Sequence, residues 1–226
     1  MNIRTIATAL AVTTSTALAA TAVPAPPALA ATAVPAPPAH AAPTQRAGTT
    51  SLASVLAADG NHFDHNWRDF DIVDRAVTTV LRAEPGSDLA VLAHGGKRVT
   101  AFLPTDRAFR VLVEDLTGKR PARERAVFRA VAHRFDVDTL EAVLLYHVVP
   151  GVTITYAQAR HADGAGLPTA LEGASIRVRV VDDGVRLRDL DQDAPNARVL
   201  PGARNLNQGN RQIAHGVSRV LRPVNL

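Results

Sequence analysis

The chain has 226 residues, 46% of them hydrophobic, with 25 Lys+Arg against 21 Asp+Glu, a formal net charge of +4 and no Cys. That length suits one domain plus a tail and buries a real core; the lack of Cys excludes a disulfide scaffold, a thiolate zinc site, a thiol nucleophile and a lipid-modified N-terminal Cys. One Trp, two Tyr and six Phe are too few to build stacking platforms, and charges of both signs are interspersed, so nucleic acid is not an expected partner.

Residues 1–50 carry two charged side chains, Arg4 and Arg46. A short positive start ends at Arg4, a mildly apolar Ala/Thr-rich run covers 6–23, Pro24 breaks it, and Ala28-Leu29-Ala30 follows as a small-x-small triplet. Those are the parts of a secretory signal peptide. The run is too short and too dilute in large aliphatic residues for a membrane anchor, and no other stretch approaches a span. Eleven residues are duplicated in tandem, 20–30 and 31–41, which offers cleavage after Ala30 or after Ala41, with a cut after Ala19 also open. The expected organisation is a signal peptide over 1–30, a semi-rigid Pro/Ala-rich linker over 31–50 and a single domain over 51–226. The expected location is extracellular, either secreted or held at the cell wall by non-covalent contacts.

From residue 51 the composition becomes globular. A short helix is expected over 51–58. Asp69 or Asp71 is the expected cap of a helix running through Leu81, with Ile72, Val73, Ala76, Val77, Val80 and Leu81 on one face; Pro85-Gly86 ends it. Residues 99–103 read as a strand. Pro104-Thr105-Asp106 opens a helix through Leu116, with Thr105 or Asp106 as cap and Gly118 as stop. Pro121 starts another helix to about Phe135, and Asp138 caps a third over 139–147, closed by Pro150-Gly151. The period then changes from helical to alternating: Ile176, Val178 and Val180 alternate with Arg177 and Arg179, and Val185 and Leu187 with Arg186 and Arg188. A final strand is expected over 212–221. Helices come first and strands mainly after them, an α+β order.

Three segments resemble the fasciclin domain family. Thr100-Ala101-Phe102-Leu103-Pro104-Thr105-Asp106-Arg107-Ala108-Phe109 is similar to its first signature box. Tyr146-His147-Val148-Val149-Pro150-Gly151 is similar to its central Tyr-His segment. Ile213-Ala214-His215-Gly216-Val217 through Pro223 is similar to its second box. The resemblance spans about 70–223. It implies a β-wedge flanked by helices and a non-catalytic, extracellular adhesion or matrix-associated module with no cofactor. It makes Pro104, Thr105, Asp106, Phe109, Tyr146, His147, Pro150, Gly151 and His215 the motif residues. Family members that bind integrins carry an Asp-Ile pair upstream of the second box; here Leu206-Asn207 stands nearby, and that activity is not carried over. Residues 117–136 form a longer helical segment than a minimal member needs. That segment and the Tyr-His end are candidate contact regions.

Read from the residues alone, Pro104-Thr105-Asp106 is a helix start that needs a fixed φ and a short oxygen side chain. Tyr146 and His147 end an apolar helix, so their polar tips need partners; the expected partner of His147 lies in the first box, at Thr105 or Asp106. His62 and His65 have a spacing that could hold a metal on a helix, but a solvated loop is the better reading and no metal is assigned. Asp189, Asp191 and Asp193 start like a calcium loop, but Ala194 and Leu200 stand where it needs Gly and Glu. With a turn at Asp183-Gly184, Arg179 is expected opposite Arg188 and Val181 opposite Arg186. Arg177, Arg179, Arg186 and Arg188 then share one face. Opposed like charges cost about 0.2–1 kcal/mol per pair, and two offsets are open: carboxylates from Asp189, Asp191 and Asp193, or an anionic ligand. The candidate partners are an extracellular protein, a cell-wall polymer, a glycan or a second copy of the chain.

Overall fold

The computed structural model describes residues 47–60, 62–182 and 184–225. The expected signal peptide, both cleavage sites and most of the expected linker lie outside the described residues. The chain joins the fold at Gly48, whose N–H donates to Gly209 O (2.8 Å), and Thr50 N–H donates to Asn210 Oδ1 (3.0 Å).

The helical half contains α1 (Leu52–Leu56), α2 (Asp71–Ala83), α3 (Asp106–Thr117), α4 (Glu124–Arg134) and α5 (Val137–Tyr146), with strand β1 (Val99–Pro104) between α2 and α3. The second half contains β2 (Val148–Pro150), α6 (Tyr156–Arg160), β3 (Gly166–Pro168), β4 (Ser175–Val181), β5 (Gly184–Arg188), β6 (Ala197–Arg198) and β7 (Gln212–Val217). One sheet has the order β2-β1-β7 and the other β3-β4-β5-β6. β1 and β7 run parallel, in register from Val99–Gln212 to Pro104–Val217.

Every residue of β1 and of β7 is buried, because both faces of that sheet are covered. Successive side chains take opposite faces. Ala101 and Leu103 join Ile72, Leu89, Phe109, Val127 and Leu144 in a core under the helices. Phe102 points the other way and meets Tyr146, Val149, Ile176, Val178, Val185 and Leu187 in a second core between the sheets. A bridge between Val199 and Val217 joins the two sheets at one end. This is an α+β wedge with helices mainly N-terminal and strands mainly C-terminal.

Several local expectations are corrected. α2 is capped at Phe70 with no side-chain bond from that residue; the carboxylate that serves this end is Asp106 Oδ1, which accepts Ile72 N–H (2.9 Å) from another helix. α4 begins at Glu124, three residues after Pro121, because extended Arg123 precedes it and buried Glu124 ties its start to the His65 N–H. α5 is capped by Asp136, whose Oδ1 accepts Thr139 N–H (2.9 Å), not by Asp138. The last strand ends at Val217, after which the chain must turn to bring Leu221 into the core between the sheets.

The hairpin register is also corrected. Arg177 faces Arg188, Arg179 faces Arg186 and Val181 faces Gly184, so the turn is centred one residue earlier than expected. Asp182 adopts φ 46°, the left-handed conformation that Asp tolerates. Moving the turn by one residue moves the pairing by two, and the inward and outward faces are preserved.

Candidate functional site

Most of the motif residues are buried, and Pro150 and Gly151 are exposed. Thr105 caps α3, its Oγ1 accepting Ala108 N–H (3.4 Å), while Phe109 and Tyr146 are core side chains. The Tyr146 hydroxyl donates to Ser175 O (3.0 Å), and burial, with the Asp189 charge adding, raises its pKa. The structure corrects the partners expected for His147. Its Nδ1 donates to Val143 O (2.7 Å) in its own helix, and its Nε2 accepts Leu221 N–H (2.9 Å) within the second box. The first box offers no side chain there because Thr105 and Asp106 are turned to the starts of α3 and α2. Burial pushes the His147 imidazole down to about 4, with the Val143 bond acting against it. His215 repeats the pattern: its Nε2 donates to Ile154 O (2.8 Å) and its Nδ1 accepts Asn205 N–H (3.3 Å), with its pKa lowered by burial. Pro104 pairs with Val217, Pro150 with Val99, and Gly151 turns at φ 81°. Tyr146 is 0% and His147 3% exposed, so neither side chain presents a surface to a partner. Leu206 bridges Ala214, and Asn207 Nδ2 donates to Thr50 O (2.8 Å) and Gln212 O (2.9 Å); both residues are occupied within the fold.

The strands carry an arginine face. Arg177, Arg179, Arg186 and Arg188 are all exposed, and β6 adds Arg198 opposite Arg186. Among the described residues the ion pair recorded on this face is Arg179–Asp163 at 3.8 Å, with both side chains half exposed. Such a pair contributes little. The nearby carboxylates serve the C-terminal segment instead. Asp191 Oδ2 accepts from Arg222 Nη1 (3.0 Å), Asp189 Oδ2 accepts Arg222 N–H (3.0 Å), and Asp193 Oδ2 accepts from Asn225 (3.0 Å). A cleft of about 510 Å³ lies over Arg179, Arg186 and Arg188. A second cleft of about 440 Å³ shares Arg186 and Asn196 with it and adds Arg107, Arg198 and Arg219. Sequence reasoning missed Arg107 and Arg198. Arg198 carries no alternation signal because β6 is two residues long. Arg107 reaches the cleft from the start of α3.

A third feature gathers acids at helix starts. Oxygens of Asp64, Asp71 and Glu124 lie within 4.8 Å of one another, as do those of Asp69, Asp71 and Asp106. Burial pushes the Asp106 carboxyl up to about 8; its bond from Ile72 opposes this, and the charges of Asp69, Glu124 and Asp71 add to it. His62 and His65 are exposed, and the His65 N–H meets the cluster at Glu124. The one signal in the sequence was an acid in the first turn of each of α2, α3 and α4.

The fold is a two-sheet α+β wedge whose signature segments are largely buried. The fasciclin domain family model matches residues 76–223, and the chain belongs to that family. Fifteen chains of known structure match it. One is the FAS1 domain pair from the insect cell adhesion molecule fasciclin I, with 15% identity and a TM-score of 0.53, covering 77% of this chain and 51% of that one. The chain thus spans about half the length of that domain pair, and the likeness is one of fold. No curated protein matches in sequence. Fasciclin domains are associated with adhesion-type modules and with extracellular or cell-surface proteins. Among the described residues no helix is long and apolar enough to cross a membrane.

Proposed function

We propose that the chain is an exported, non-enzymatic fasciclin module for extracellular attachment, and that it makes contact through the arginine face of β4, β5 and β6. Family membership supports the first part and the pattern of residues 1–30 supports export. One observation carries the second part: like charges oppose one another at Arg177–Arg188, Arg179–Arg186 and Arg186–Arg198, with one weak ion pair recorded among the described residues. Guanidinium groups bind phosphate and carboxylate by paired hydrogen bonds. The fitting partner is an anionic surface polymer lying along the face and into the cleft beside Arg198.

The test is sedimentation of the purified chain with isolated cell walls at low and high salt, beside a variant carrying Arg177→Ser, Arg179→Ser, Arg186→Ser and Arg188→Ser. Binding is expected to weaken at least tenfold in high salt and in the variant, since exposed charge contacts fade as the Debye length shrinks. Binding indifferent to both changes would move the contact to a protein or neutral-glycan surface elsewhere. Sequencing the N-terminus of the exported protein reads the cleavage site; retention of the intact chain inside the cell would reject export.

A further inference from the structure

From Asp64, Asp71 and Glu124, with Asp69 and Asp106 behind them, we propose a Ca²⁺ site where the starts of α2, α3 and α4 converge. This inference is independent of the arginine face, which lies on the strands.

The geometry is that of an oxygen cage. Carboxylate oxygens of Asp64, Asp71 and Glu124 lie within 4.8 Å of one another. Oxygens on opposite sides of a Ca²⁺ ion, each at about 2.3–2.6 Å, are separated by roughly 5 Å, so these three fit around one ion. Asp69 and Asp106 form a second triad with the same Asp71 and place further carboxyl oxygens behind it.

Two buried oxygens point to a missing partner. Glu124 is 1% exposed; its Oε2 accepts His65 N–H (3.0 Å), while its Oε1 is buried and has no hydrogen-bond partner among the described residues. Asp106 is 0% exposed; its Oδ1 accepts Ile72 N–H (2.9 Å), while its Oδ2 is likewise buried without a partner. An acceptor left unmade in the interior is costly, and a cation held by Asp64, Asp71 and Glu124 answers Glu124 Oε1. The donor set selects the ion. All five side chains are carboxylates, which suit a hard cation, and so many in one place suit Ca²⁺ better than Mg²⁺, which keeps its water and takes one or two carboxylates. Exposed Asp64 supplies the entry path.

The only Trp of the chain, Trp67, sits in the same loop, and its carbonyl accepts Arg107 N–H (3.0 Å) beside Asp106. It is therefore placed to sensitise a lanthanide bound at the cluster. The test titrates the full chain with Tb³⁺, excites the Trp, and chases with Ca²⁺ or Mg²⁺; Tm is measured in EDTA and in Ca²⁺. The expected result is saturable luminescence displaced by Ca²⁺ at about 1 mM or below and not by equal Mg²⁺, with a Tm several degrees higher in Ca²⁺ than in EDTA. Both signals should be lost in Asp64→Asn, a change at an exposed position that leaves the core intact, and in Glu124→Gln. An unchanged Tm together with no displaceable luminescence would overturn the proposal. So would binding that survives both substitutions, which puts the ion elsewhere. A Glu124→Gln chain that is more stable than the parent and indifferent to Ca²⁺ would identify the cluster as acids sharing protons, and would also reject the site.

Discussion

His147 shows how one buried side chain binds distant segments. It is neutral, with Nδ1 donating to Val143 O and Nε2 accepting the Leu221 N–H, and protonation would set an N–H against that N–H. An unfolded His titrates near 6.5, whereas this one is held at about 4. Between those values the unfolded chain binds the proton and the folded chain does not. The stabilisation is therefore complete above about 6.5 and is lost as pH falls toward 4. His147→Ala leaves Leu221 N–H without an acceptor and opens a cavity, at a cost of about 2–4 kcal/mol. The expected result is a Tm lower by on the order of 10 °C at neutral pH, with the gap to wild type narrowing as pH is lowered to 4. Thermal melts across that range check it. A gap independent of pH would mean that the imidazole acts by volume alone.

At the scale of the element, the β4–β5–β6 ladder sacrifices some stability for a uniform charge. Arg186 stands between Arg179 and Arg198 on neighbouring strands. Arg186→Glu turns two repulsive pairs into attractive ones, each contributing about 0.2–1 kcal/mol. The variant should melt a few degrees higher at low salt, an advantage that high salt erodes, while binding anionic walls less well. A variant that melts lower would show that Arg186 is held by contacts other than its cross-strand neighbours. The alternation of Arg with Ile, Val and Leu was legible because period two needs no long-range information. The register was not. It turned on whether Asp182 or Gly184 entered the loop, and a left-handed Asp decided it.

At the scale of the whole molecule, an ion-pair network closes the wedge. Arg222 Nη2 meets Asp115 Oδ2 on α3 at 2.6 Å, and its Nη1 meets Asp191 Oδ2 after β5 at 3.0 Å; Arg219 shares Asp115 at 3.0 Å. The Asp191 side chain is 1% exposed. Removing Arg222 strands a buried carboxylate, and Arg222→Ala is expected to cost about 3–5 kcal/mol. Arg222→Met, which fills the space but leaves Asp191 uncompensated, should recover little. Denaturant unfolding of both variants checks this, and a Met variant as stable as the parent would mean that packing, not charge, holds the C-terminal segment.

Much of the architecture was local and so was readable in the sequence. Apolar faces at helical spacing, the Thr105 start of α3, the Gly118 stop and the alternation after residue 175 each depend on neighbours a few residues away. Three motif segments in order were enough to name the family. What needed the tertiary structure was every partner far along the chain. Asp106 serves the start of α2 and His147 holds Leu221; Asp189, Asp191 and Asp193 turn to Arg222 and Asn225 and leave the arginine ladder with one weak partner among the described residues. The acids of α2, α3 and α4 look like ordinary first-turn residues in sequence and become one cluster when the helices converge. Periodicity reports which face a side chain takes, whereas the fold alone decides which charges meet across it, because burial and distance set the strength of their interaction.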